Sequence, residues 1–248
     1  MKVDEQFKAT CRVLFGEELG KLNDFKPYLL DMVDPPLCIK SIISKKNVYL
    51  SRPYYCKGAK FRGLGETDEK HESLTINEVK DIDSVLSALA EKFHYCGNKN
   101  LGTSVDVLES DMCNDSMSVL ASQNIMSSKY VAYSNGIRES ECIFGCMLGG
   151  EVKFSMHSHV FFYSTRCFDS YICVRSSDMY GCFNCQSCSD NMFTLNQKSK
   201  RNCIGNLELS KEKYLEIKKK IVAEIADELK RKKRFPSIFE IAGGDVDD

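Results

Sequence analysis

Three cysteines, Cys182, Cys185 and Cys188, form a Cys-x-x-Cys-x-x-Cys run, and Cys203 follows as an available fourth thiol. Thiolates at this spacing can wrap a zinc ion or an iron–sulfur cluster. The run lacks the proline that often follows a ferredoxin-type ligand, and no separate Cys-x-x-Cys exists to complete a zinc ribbon. Interior packing competes with ligation, because a reduced cysteine behaves as a small buried hydrophobe. A second candidate is His157-Ser158-His159, which on a strand places both imidazoles on one face. A catalytic zinc would need a third histidine or a carboxylate, and nothing local supplies one. Cys167 with His159 is a conceivable nucleophilic pair, but no orienting motif surrounds it.

Other chemistry is thinly represented. There is no phosphate-cradling Gly-x-x-x-x-Gly-Lys, and Gly63-Leu64-Gly65 lacks the strand-before, helix-after setting of a dinucleotide site. The run Lys230-Arg231-Lys232-Lys233-Arg234 is the nearest approach to a nucleic-acid patch, with Lys198, Lys200 and Arg201 as further cations. No aromatic-and-basic motif for single strands accompanies it, so a solvated helix end competes with phosphate binding. With no complete catalytic constellation, the chain leans away from an enzyme.

The 248 residues are 43% hydrophobic and 28% charged, with a formal net charge of −1. That composition suits a water-exposed protein with a proper core and does not by itself favour nucleic acid or an acidic membrane. No apolar run of ~18 residues predicts a membrane span. The opening MKVDEQFKATCRVLFGEELG carries early acids and does not read as a secretory signal. A reducing cytoplasm is therefore expected, with the 13 cysteines as free thiols.

The elements that would position these groups are repetitive. Sliding the stretch from Ser104 to Phe193 against itself by 21 residues aligns Ile125, Cys146, Cys167 and Cys188. A second column holds Val131, Val152 and Cys173, then weakens at Thr194. Small or apolar residues at fixed spacing predict stacked coils, each unable to bury its inner face alone. The expected fold is α+β: a mixed α/β region over 1–96, a short right-handed β-helix of about 21-residue coils over 97–206, a capping helix over 207–240, and an acidic tail over 241–248. In the first region, apolar residues from Leu14 to Met32 suggest a helix ending before Pro35-Pro36, then short strands at Ile42-Ile43 and Val48–Leu50. Thr75 and Glu78 form a capping-box pattern ahead of an amphipathic helix bearing Val79, Ile82, Val85, Leu86, Leu89 and Phe93. The last helix is predicted from Lys211 to Lys232, capped by Ser210.

The segment from Cys182 through Arg201-Asn-Cys203-Ile-Gly-Asn206, the helix start Ser210-Lys211-Glu212-Lys213-Tyr214 and the later Arg234-Phe235-Pro236-Ser237 resemble a poorly characterised family of Cys/Ser/Asn-rich repeat proteins from uncultivated bacteria and archaea. The resemblance spans roughly Ser140 to Ser237. It implies a repeat fold and carries no activity. This chain lacks the zinc-ribbon pairs into which relatives often continue, and its first 96 residues have no counterpart there. The functional expectation is a non-enzymatic scaffold that binds another protein. The alternatives are zinc or iron–sulfur binding through Cys182, Cys185, Cys188 and Cys203, and nucleic-acid association through Lys230 to Arg234.

Overall fold

The computed structural model describes residues 2–51, 54–66 and 73–243. Its body is a β-solenoid with two parallel sheets back to back. A sheet of ten strands lies on one side and a sheet of eight on the other. The chain alternates between them with four-residue strands and two-residue turns, as in Lys129–Ala132, Asn135–Arg138 and Glu141–Phe144. Register fixes the coil: Lys129 pairs with Glu141 and Glu141 with Lys153, while Asn135 pairs with Met147.

One coil is therefore 12 residues, not the expected 21, and it is built from two six-residue units. Every third residue from Ser110 to Thr194 is buried, so each unit points two side chains inward. Twenty-one residues are three and a half units. The slide that aligned Ile125, Cys146, Cys167 and Cys188 thus stepped through four different inward columns rather than along one.

The backbone explains the polar alphabet. From Asp106 to Gly205 every third residue has a positive φ, near +50°, which bends the chain between successive inward residues. Asn, Asp and Gly tolerate this conformation best, and they supply Asp106, Asp115, Asn124, Gly136, Asp178, Asn184, Asn196 and Asn202 among the bends. The sixth position of each unit is serine from Ser104 to Ser140. Each such hydroxyl takes the backbone N–H of the residue one coil later, as Ser122 Oγ takes Ser134 N at 3.0 Å and Ser134 Oγ takes Cys146 N at 3.1 Å. The same hydroxyl donates to the carbonyl two residues back, as Ser134 does to Ala132 at 2.9 Å. These ladders satisfy corner amides that no strand partner reaches.

The ten-stranded sheet is covered along most of its length, whereas the eight-stranded sheet meets Phe239, which packs edge-on against Tyr171 at 4.5 Å and Phe183 at 5.9 Å. The outward residues Ala132, Phe144, Met156, Phe168, Tyr180 and Met192 of the ten-stranded sheet join one core with α1 (Lys2–Phe15), α2 (Lys26–Leu30) and the later long helix (Lys211–Lys232). Phe7 meets Phe144 edge-on at 5.2 Å, Phe15 meets Phe168 at 5.0 Å, and Tyr180 donates to the Leu14 carbonyl at 2.7 Å. The helix expected from Leu14 to Met32 is thus replaced by α1, a 3-10 turn at Leu22–Phe25 and α2. Gly16 at φ +82° and Gly20 at φ +135° break the chain between them.

Residues 37–50, 55–63 and 95–97 form a smaller cluster around Val48, Leu50 and Phe61, so the region expected as one unit over 1–96 divides between two cores. β1 (Leu37–Lys40) pairs antiparallel with β2 (Asn47–Leu50), while Ile42-Ile43 lie in their turn. β3 (Phe61–Gly63) runs parallel to β4 (Tyr95–Gly97). The Thr75–Glu78 capping box forms but closes only a 3-10 turn, and α3 (Ile82–Lys92) starts afresh behind Asp81. Buried Asp111 ties this cluster to the solenoid, accepting from Ser51 N and Oγ at 2.8 and 2.6 Å and from Lys99 N and Nζ at 2.8 Å. At the far end Leu207–Glu208 folds back antiparallel on Arg201–Ile204, closing that edge of the ten-stranded sheet. The predicted helix follows as α4 (Lys211–Lys232), with Ser210 accepting from Lys213 N, and α5 (Ile238–Gly243) comes last. The acidic residues 245–248 lie outside the described residues.

Candidate functional site

Cys182, Cys185, Cys188 and Cys203 all point into the solenoid, each in a different one of the four inward columns. Cys182, Cys185 and Cys188 share a coil, while Cys203 lies more than a full coil beyond Cys188, at ~4.8 Å per coil. Four sulfurs each ~2.3 Å from one zinc cannot be so distributed. Among the described residues, no three His, Cys, Asp or Glu side chains converge as metal ligands. The sulfurs instead sit against carbonyls, Cys182 on Tyr180 at 3.3 Å, Cys188 on Gln186 at 3.3 Å and Cys203 on Arg201 at 3.4 Å. Thr194 Oγ1 donates to Cys182 Sγ at 3.2 Å.

Burial governs the thiol chemistry. Desolvation pushes Cys146 and Cys167 up to about 12 and raises Cys182 further. Cys173 rises through its hydrogen bond to Cys185 and through burial. Cys185, receiving hydrogen bonds from Cys173 and Cys182, is lowered relative to both but is itself almost wholly buried. Thiolate character and access are both needed for reactivity. A native thiol titration should therefore count Cys38 and Cys56 quickly and half-buried Cys96 slowly, the other ten appearing only on unfolding and chelators changing nothing. Rapid native labelling of more than three thiols would contradict that packing.

The two histidines do not share a face. His157 occupies a bend at φ +53°, inward Ser158 intervenes, and His159 opens the next strand on the eight-stranded sheet. Each three-residue bend redirects the chain, so the two-residue alternation of an ordinary strand does not apply. His157 is buried between two carboxylates, its Nδ1 2.9 Å from Asp169 and its Nε2 2.6 Å from Asp31, with Tyr28 stacked on the ring at 4.1 Å. Burial would lower this imidazole, but the hydrogen bonds to Asp169 and Asp31 outweigh it and hold it up at about 9. Both nitrogens then donate, so the ring is a charged clamp between α2 and the solenoid, with no free lone pair for metal or base work. His159 stacks on Tyr171 at 4.5 Å, and Tyr171 on Phe183 at 5.9 Å. Cys167 faces the interior from the opposite sheet, so the Cys167–His159 pair is not assembled.

The basic run is paired. Lys230 meets Glu17 at 2.5 Å, Arg231 and Lys232 share Glu228, and Arg234 meets Glu240. Lys233, the left-handed cap of α4, donates to the Leu19 carbonyl at 3.2 Å and lies over the Phe25 ring. Lys230, Lys233 and Arg234 tie the end of α4 to Glu17, Leu19 and Glu240, while the exposed Arg231 and Lys232 pair within α4.

The eight-stranded sheet shows the least expected feature. Register stacks Leu148, Val160 and Ile172 on successive coils, next to Gly150, Phe162 and Val174. Leu148, Phe162, Ile172 and the neighbouring Tyr163 are well exposed. Leu148, Val160 and Ile172 occupy bend positions at φ +56°, +52° and +52°. β-branched residues rarely adopt this conformation, and solvent offers Val160 and Ile172 no full burial in return. Arg175 lies 5.7 Å over the Tyr163 ring, and Arg138, Glu139 and Glu151 border the patch. No family model and no curated protein matches this chain. The patch therefore stands on its geometry. Sequence reasoning overlooked it because the residues lie 12 apart; counting every twelfth residue from Leu148 would have found the column.

Proposed function

We propose that this protein is a non-enzymatic β-solenoid scaffold whose eight-stranded sheet binds a protein partner through the exposed strip around Leu148, Phe162 and Ile172. The carrying observation is the Leu148–Val160–Ile172 column, exposed at Leu148 and Ile172 and half-buried at Val160, which places bulky side chains where Asn, Asp or Gly would be less strained. Strained, exposed apolar residues on a rigid flat sheet are what a docking face needs, and contiguous exposed apolar surface marks interaction sites. Phe239 of α5 packs on Tyr171 and Phe183 of this sheet, and the strip of Leu148, Phe162, Tyr163 and Ile172 stays accessible beside it. Among the described residues no helix is long and apolar enough to cross a membrane. Ligation by Cys182, Cys185, Cys188 and Cys203, or phosphate binding by Lys230 to Arg234, finds less support, since the thiols are dispersed inward and four of the five cations are engaged with Glu17, Glu228 or Glu240.

The test is site-specific photo-crosslinking in cells. A benzophenone amino acid at Ile172 should give a discrete protein adduct, lost when Leu148→Asp and Phe162→Asp are added. The same probe at exposed Lys129 should give none. Identical adducts from both positions, or a catalytic activity abolished by one Cys or His substitution, would overturn the proposal.

A further inference from the structure

A separate surface carries a second inference. α3 is amphipathic, but it is turned outward: its small residues Ser84 and Ala88 face the protein, while Ile82, Leu86, Leu89 and Phe93 are 68, 56, 41 and 57% exposed. At 100° per residue these four fall within an arc of about 60°. Ile76 and Val79, just upstream, are also exposed. Beside the C-terminal half of α3 opens a cleft of about 360 Å³, lined by Ala59, Leu89, Phe93 and Tyr95 with Lys57 and Lys60.

We propose that this stripe is the isologous interface of a homodimer, in which α3 packs antiparallel on α3 of a second copy. Three features select a second copy as occupant. The first is shape: the stripe has a protruding end at Ile82 and a cleft at the other end, so a two-fold axis near Leu86 places each Ile82 at the partner copy's cleft. The second is charge: Asp81 and Asp83 flank the protruding end, while Lys57 and Lys60 line the cleft, and antiparallel pairing sets acid against base at both ends. The third is size. Six apolar side chains between Ile76 and Phe93 are each at least 41% exposed, and burying them in both copies would approach the ~1,200 Å² total at which specific interfaces begin.

Sedimentation velocity on the full chain tests this. A reversible dimer is expected, with a dissociation constant of about 1–100 µM for an interface of that size. Leu86→Glu, with circular dichroism unchanged, should weaken association at least about 100-fold, the two-fold axis doubling the effect of each charge. Asp83→Lys should weaken it about tenfold, and Asp83→Lys with Lys60→Glu should restore it. A chain monomeric at about 100 µM overturns the proposal, whether or not it then binds lipid vesicles. A dimer that survives Leu86→Glu, or a charge swap that restores nothing, overturns it as well. None of these variants touches the eight-stranded sheet, so crosslinking through Ile172 stands or falls independently.

Discussion

His157→Ala is expected to destabilise the fold by about 3–5 kcal/mol, because it strands the buried Asp169 carboxylate without its counter-ion. Asp169 is almost fully buried and its pKa is raised, by burial first and only partly offset by His157. Asp31 is more exposed and can be resolvated, so Asp31→Asn should cost less. The pH dependence has a definite sign. His157 is held up at about 9 in the folded state against an unfolded value near 6.5, so its stabilisation is complete below ~6.5 and is lost as pH rises through about 9. Raised Asp169 acts in the same direction at lower pH, since it too binds its proton more tightly when folded. Urea unfolding at pH 6 and pH 9.5 should show wild-type stability falling across this window and a flatter profile for His157→Ala. Equal slopes in the two proteins would rule out the clamp.

Phe161→Ala should cost a comparable 3–5 kcal/mol by the general cost of removing a buried aromatic ring. The informative measurement is its coupling to Gly149. Phe161 is fully buried and pairs one coil beyond Gly149 in the same inward column. A Cβ added at Gly149 would lie 2.8 Å from the Phe161 ring, and Gly149 has an ordinary backbone conformation in which alanine is unstrained. Gly149→Ala alone is therefore expected to overpack the column by about 1–3 kcal/mol. In the Phe161→Ala background the same methyl should fill space, so the two changes should be non-additive by about 1 kcal/mol or more. Additive effects in equilibrium denaturation would show that the ring does not rest on Gly149.

The solenoid was legible because its cause is local and repeated. Small and apolar residues recurring among Ser, Asn, Asp and Gly indicate coils that bury one set of positions. The coil length was not legible from the alignment of Ile125, Cys146, Cys167 and Cys188, since two inward positions per unit make a half-integral shift look like a true period. The run of serines six apart from Ser104 to Ser140 carries the correct spacing. The candidate site was read less well. Cys182, Cys185 and Cys188 have ligand spacing in sequence, but a bend at every third residue turns each of them into a separate inward column. His157 gave no sign of its clamp, because Asp31 lies 126 residues away.

By itself the sequence determined the repeat, its polar bends and the helix from Lys211 to Lys232 behind Ser210, all consequences of interactions within a few residues. Tertiary structure decided which sheet is covered along most of its length, because α1 and α4 come from opposite ends of the chain to bury Phe144, Phe168 and Tyr180. It also decided that α3 presents Ile82, Leu86, Leu89 and Phe93 to solvent, although the same pattern would serve a buried helix equally well. Hydrophobic periodicity specifies that a face should be covered. What covers it depends on the distant chain, or the second molecule, that reaches it.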